Sequence, residues 1–133
     1  MSCIFCKIIA GEIPSYKVYE DENSLAFLDI NPVNSGHTLV IPKKHFANIE
    51  EVDEQTLCQV VKIVKWVGAS LKNNLGAAGY NVLVNNDPAA GQIVPHLHFH
   101  VVPRAGDDNL HLWPQKKYKK NEAEEVLNKI KII

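Results

Sequence analysis

The sequence predicts an α+β domain built from five strands, one long helix and a short C-terminal helix. Three observations carry that reading. Five short runs rich in β-branched and aromatic residues are bounded by Pro, Gly and Asn; one long stretch repeats apolar residues at three- and four-residue spacing; and the charged tail is ordered as a helix dipole requires. With 133 residues, 46% of them hydrophobic, the chain can bury one core, whereas two self-sufficient domains would each be marginal. The expected organisation is a single domain over residues 1–133, with its core in 3–104 and an extension over 105–133.

The first two strands, Tyr16 to Glu20 and Ser24 to Asp29, flank the turn-forming Asp21-Glu22-Asn23 as a hairpin. The loop Ile30-Asn31-Pro32-Val33-Asn34-Ser35-Gly36 follows, and His37-Thr38-Leu39-Val40-Ile41 reads as a third strand stopped by Pro42. From Asp53 to Gly76 the period changes, with Leu57, Val60, Val61, Val64, Val67, Leu71 and Leu75 on one helical stripe. Cys58 and Trp66 fall beside that stripe and read as partly buried side chains without a chemical role. Gly79 to Asn86 is the fourth strand, and a fifth, beginning at His96, pairs with it antiparallel. Residues 121–131 form the terminal helix, with Asn121 as N-cap, acids in the first turn and lysines in the last.

Composition excludes several function classes. Fourteen Lys+Arg against 15 Asp+Glu leave a net charge of −1, so the chain has no excess of cations for a polynucleotide partner. Its one arginine is Arg104, so an anion site must rest on backbone amides, lysines or imidazoles. No run approaches the ~20 apolar residues of a membrane span, and the N-terminus lacks a basic region followed by an apolar signal core. The expected location is cytoplasmic, with no membrane partner.

The segment His96-Leu97-His98-Phe99-His100-Val101 carries the strongest chemical signal. Alternation along a strand places the three histidines on one face and Leu97, Phe99 and Val101 on the other, and half of the chain's six histidines fall within these five positions. One metal cannot gather all three, because the outer two are ~13 Å apart along a straight strand. Their roles must be divided. Near its ordinary pKa an imidazole suits nucleophilic attack, proton transfer or phosphate binding at neutral pH. The preceding loop Asp87-Pro88-Ala89-Ala90-Gly91-Gln92 has small residues that let backbone N–H groups approach an anion, with Gln92 adding an amide donor.

Cys3 and Cys6 form a Cys-x-x-Cys at the extreme N-terminus, and the cysteine count of three is odd, which does not suggest a disulfide framework. A thioredoxin-like motif should open a long helix within a parallel-sheet pattern, which this context lacks. Zinc is the favoured reading, with His45 and His96 available to complete Cys₂His₂, against two reduced cysteines beside a surface histidine. A closed set of four ligands would hold the N-terminus in place and leave His98 free.

Gly91-Gln92 followed by His96-Leu97-His98-Phe99-His100, together with Asp29-Ile30-Asn31-Pro32 and Gly36-His37-Thr38-Leu39-Val40-Ile41-Pro42-Lys43-Lys44-His45, resembles the histidine-triad (HIT) superfamily of nucleotide hydrolases and transferases. The resemblance runs from Cys3 to about Arg104, and the Val102-Pro103-Arg104 ending is similar to the dinucleoside-polyphosphate-hydrolase branch and to many small bacterial members. It implies a five-stranded antiparallel sheet that joins its copy in a homodimer, and a bound AMP-like nucleotide. His98 would attack the α-phosphorus to form a nucleotidyl-histidine that water resolves, with His100 and His37 contacting phosphate and orienting the nucleophile. Asp29 would accept from the ribose hydroxyls, Ile30 would pack on the base, and Asn85, Gly91, Gln92 and Ile93 would meet the phosphate or leaving group. Family members commonly carry Ser or Thr where this chain has Ile93, so a hydroxyl contact is lost while the backbone N–H remains. Some relatives hold a structural zinc with residues matching Cys3, Cys6, His45 and His96.

The function expected is hydrolysis of purine nucleotide derivatives, either dinucleoside polyphosphates or nucleoside phosphoramidates, at the α-phosphorus. The alternative is a nucleotide-binding or scaffold protein with little turnover. Transfer to a sugar phosphate is disfavoured because uridylyltransferases carry His-Pro-His where this chain has His96-Leu97-His98.

Overall fold

A computed structural model describes residues 2–133. Its elements, in chain order, are α1 (Ile4–Ile9), β1 (Lys17–Glu20), β2 (Ser24–Leu28), β3 (Thr38–Pro42), α2 (Glu54–Leu75), β4 (Gly79–Val84), a single 3₁₀ turn (Pro88–Ala90), β5 (Phe99–Arg104) and α3 (Glu122–Ile130). The strands form one five-stranded antiparallel sheet in the order β1-β2-β3-β5-β4, the α+β architecture expected from the sequence.

Alternation sorts the sheet's side chains into two apolar layers. Ala26, Val40, Phe99 and Val101 face α2, where Val60, Ile63, Val64, Val67 and Leu71 complete the larger core, while Leu25, Phe27, Leu39 and Ile41 meet Phe5 and Ile8 of α1 on the opposite face. Each such large side chain removed from water contributes about 1.5–3 kcal/mol. Helix α2 begins where Asp53 accepts a hydrogen bond from the Thr56 N–H and ends at Gly76, which has φ +75°. Gly68 lets the helix approach the sheet, since a Cβ there would lie 2.3 Å from the Tyr80 ring. Val61 and Leu75 of the expected stripe are exposed, Ile63 is buried in their stead, and Cys58 is exposed rather than partly buried.

Three further expectations are corrected. Strand β5 begins at Phe99, not His96, because the backbone before it bonds to loops: His96 N–H donates to Val94 C=O at 2.8 Å and Leu97 N–H to Phe46 C=O at 2.7 Å. Helix α1 forms around the cysteine pair, a segment for which the sequence predicts no element, and Cys3 is its N-cap, its Sγ accepting from the Cys6 N–H at 3.4 Å. Asn121 precedes α3 with φ +67° and makes no side-chain cap. No residue of α3 is buried.

Candidate active site

The histidine segment enters β5 with its alternation intact although only His100 is in the strand. Leu97 joins the α2 core, whereas His96 and His98 stand on the α1 face, where the Phe5 ring meets both edge-on at centroid distances of 5.8 and 5.1 Å. His98 is 6% exposed. Its Nδ1 lies 2.7 Å from the His96 C=O, and because a carbonyl only accepts, Nδ1 carries the proton of the neutral ring. Nε2 is left with a lone pair and has no hydrogen bond among the described residues.

A second set of bonds fixes the other two imidazoles. Val33 N–H donates to His37 Nδ1 at 3.0 Å, which puts the His37 proton on Nε2, 2.9 Å from His100 Nδ1. His100 therefore accepts at Nδ1 and carries its proton on Nε2, a buried atom with no hydrogen-bond partner among the described residues. Asp29 Oδ2 lies 3.8 Å from His37 Nε2, while Asp29 Oδ1 accepts from the Asn31 N–H. Burial pushes all three rings toward the neutral form. The nearby Asp29 partly opposes it in all three, after the His96 carbonyl in the case of His98, and for His100 burial together with the His98 and His37 rings lowers the pKa to about 4. At neutral pH the group thus consists of uncharged imidazoles with assigned donors and acceptors.

Loop geometry places the remaining expected residues. Gly91 has φ +91°, a conformation that favours glycine, and lies beside Asn85, whose Nδ2 would be 3.7 Å from a Cβ at that position. Gln92 departs from the expected free donor: its Nε2 donates to the carbonyls of Ala47 at 2.7 Å and Val94 at 3.0 Å, and its Oε1 accepts from the Asp87 N–H at 2.8 Å. It holds the loop closed on segment 45–47. Ile30 and Ile93 are exposed, at 78% and 92%. Arg104 faces no anion site of its own, since its guanidinium forks onto Asp108 with Nε to Oδ2 at 2.7 Å and Nη2 to Oδ1 at 3.1 Å. Beside this pair a cleft of about 640 Å³ separates Val33, Leu83 and Val102 from Leu110 and Trp113.

The cysteine pair and two histidines converge. His96 Nε2 lies 2.8 Å from the Pro42 C=O, so its proton sits there and Nδ1 presents a lone pair. That Nδ1 is 3.5 Å from Cys3 Sγ, 3.6 Å from Cys6 Sγ and 3.1 Å from His45 Nδ1, with Cys6 Sγ 3.4 Å from His45 Nδ1. Ligands at the usual zinc distances, ~2.0–2.1 Å for nitrogen and ~2.3 Å for sulfur, stand ~3.3–3.8 Å apart in a tetrahedron. The four donors fit such an ion. Asp29, His37 and His100 also lie close enough to hold a metal, but there the two nitrogens are already joined by a hydrogen bond.

No helix among the described residues is long and apolar enough to cross a membrane. Comparison with known proteins finds the HIT domain over residues 10–107. An uncharacterized HIT-like protein of Methanocaldococcus jannaschii is 52% identical over 97% of this chain and 98% of its own length. An adenosine 5′-monophosphoramidase of Schizosaccharomyces pombe is 42% identical over 98% of this chain and 100% of its own. Among solved structures, a HIT family protein of Bacillus subtilis superposes with a TM-score of 0.89 at 42% identity, covering 98% of this chain and 95% of that one. A zinc-bound histidine triad family protein of Mycobacterium smegmatis gives 0.79 at 38% identity, covering 97% and 92%. With the domain matched across most of its length and relatives aligned nearly end to end, this chain belongs to the HIT domain family.

Proposed function

We propose that this protein is a hydrolase that cleaves purine nucleotide derivatives at the α-phosphorus through a nucleotidyl intermediate on His98, releasing a nucleoside monophosphate. The observation that carries the reading is the His98 ring, whose Nδ1 is committed to the His96 carbonyl and whose Nε2 keeps its lone pair beside the partnerless donor on His100. Nε2 attacks phosphorus, a P–N bond to His98 forms, and the bond to the leaving group breaks with its electron pair; a leaving amine then takes up a proton. His100 Nε2–H, held in that tautomer by His37, donates to a phosphoryl oxygen as charge builds on it. Water then displaces the nucleotide from His98 and returns the ring to its neutral state.

Asp29 and Ile30 bind the nucleoside, Asn85, Gly91 and the backbone at Ile93 border the phosphate or leaving group, and Gln92 shapes that loop. The similarity to the adenosine 5′-monophosphoramidase of Schizosaccharomyces pombe supports phosphoramidates ahead of dinucleoside polyphosphates. Cys3, Cys6, His45 and His96 hold a structural zinc, which when bound ties α1 to the segment ahead of β5 and takes no part in proton transfer. Residues 3–104 form the working core of a cytoplasmic homodimer whose sheets join; 105–133 form its extension.

The test is covalent trapping. Brief incubation with an adenosine phosphoramidate labelled in the AMP moiety should leave label on the wild type and none on His98→Ala. Equal turnover in both rejects the mechanism. Ile93, which offers no hydroxyl, favours a second reading as a nucleotide-binding protein, and tight AMP binding without hydrolysis of either substrate class would support it.

A further inference from the structure

We propose that Asn34, Asp108 and Arg104 are positioning residues for the nucleotide site, mooring the loop that runs from Asp29 and Ile30 to His37. The inference rests on the hydrolase reading above, because it assigns the loop's order to substrate binding.

The loop decides what His37 does. Val33 N–H donates to His37 Nδ1 at 3.0 Å and His37 N–H donates to the Asn34 carbonyl at 3.0 Å, so a shift of two or three residues would release the proton arrangement on which His100 depends. Yet the loop has little packing to hold it. Asn31, Pro32, Val33 and Ser35 are all exposed, and Asn34 is the exception among residues 31–35. At its far end Gly36 approaches Leu75 and Leu71 and its carbonyl accepts from Thr38 Oγ1 at 2.8 Å; within residues 31–35 the loop's side-chain bond to the rest of the fold comes from Asn34, whose Nδ2 donates to Pro103 C=O at 2.9 Å and to Asp108 Oδ2 at 3.2 Å.

Asp108 is itself fixed. Besides Asn34 it accepts from Arg104 Nε and Nη2, from the Ala105 N–H at 3.1 Å and from the Leu110 N–H at 3.1 Å, and its side chain is 10% exposed. The Arg104 guanidinium also reaches the Asn81 Oδ1 at 2.8 Å and the Leu110 carbonyl at 3.0 Å. The chain's single arginine thus orients a carboxylate that orients Asn34. Asp108 lies just beyond residue 107, where the HIT domain match ends, so the start of the extension reaches back to hold the nucleotide loop. A loop freed of this mooring must be ordered by the substrate, which weakens binding more than it slows the chemical step.

The experiment measures kcat and KM for an adenosine phosphoramidate on the full chain, AMP affinity by calorimetry, and the His37 ring-proton signals by NMR. Asn34→Ala should raise KM about tenfold, the loss of a hydrogen bond to a charged group, with kcat held within about twofold. Asn34→Asp, which sets a carboxylate against Asp108, should raise it further. If Asp108 acts on the site through Asn34, the double variant Asn34→Ala/Asp108→Ala should raise KM no further than the larger of its two single variants, with the His37 signals following the same order. Unchanged KM in both Asn34 variants, with an active wild type, overturns the inference. So do KM rises of Asn34→Ala and Asp108→Ala that multiply in the double variant, since the two residues would then act independently. A wild type with neither turnover nor AMP affinity rejects the hydrolase reading instead. In that case the His37 signals decide, perturbed by Asn34→Ala and Asn34→Asp if the mooring holds, unmoved if it does not.

Discussion

His37 Nε2 and His100 Nδ1 stand 2.9 Å apart, and the Val33 N–H on the far side of the His37 ring fixes the direction of that bond. The His37 ring thereby sets the tautomer of His100, whose own donor at Nε2 has no partner among the described residues.

His37→Ala should lower turnover ~10- to 100-fold, equivalent to about 1.4–2.8 kcal/mol of transition-state stabilisation. His37→Gln, whose amide can donate to His100 Nδ1, should lose less. Steady-state kinetics on the two variants check the order, and a smaller loss in the alanine variant would contradict the relay.

Stability should fall with acidification. His100 titrates near about 4 when folded against an ordinary value of 6.5, so below about 6.5 the unfolded chain binds a proton that the folded chain refuses. The contribution is fully present above the ordinary value and is lost as pH drops from about 6.5 toward about 4. Urea unfolding at pH 7 and pH 5 should show the difference, and His100→Gln should reduce it.

Purified protein should contain one zinc ion per chain by elemental analysis. Removing it with a chelator should lower stability by ~2.7 kcal/mol relative to free zinc at ~100 times its Kd. Cys3→Ser and His45→Ala should abolish the response to zinc, and thermal unfolding unaffected by chelator would remove the metal centre from the account.

Gly68→Ala should cost ~1–3 kcal/mol, because the new methyl group would overlap the Tyr80 ring across the α2–β4 contact. Pairing it with Tyr80→Leu should recover part of the loss in thermal or denaturant unfolding.

Much of this was legible because the periodic signals were strong. The three- and four-residue spacing of Val60, Val64, Val67 and Leu71 located α2, and the polar-apolar alternation around Asp21-Glu22-Asn23 located the first hairpin. The spacing of an extended chain also indicates that one metal cannot gather all three histidines, and the rings of His96, His98 and His100 hydrogen-bond to different groups although His96 and His98 precede the strand. What escaped depended on contacts distant in sequence. Helix α1 is six residues long, too short for a period to show, and is stabilised by Phe5 and Ile8 packing on the sheet. Strand β5 starts later than the alternation indicates because the Leu97 N–H bonds to the Phe46 carbonyl, and nothing in the local sequence marks the Ala47 carbonyl as the partner of Gln92. Asn34 and Asp108, 74 positions apart, carried no signal that they would touch.

His96 faces three ways. Its Nδ1 meets the cysteines and His45, its Nε2 meets Pro42, and its main-chain carbonyl fixes the His98 proton. Only the first two depend on which amino acid occupies the position, whereas any residue supplies the third. A replacement at 96 would therefore remove a donor from the cysteine cluster and leave a buried space beside Phe5, while the ring two residues onward would keep its proton arrangement through the peptide unit alone.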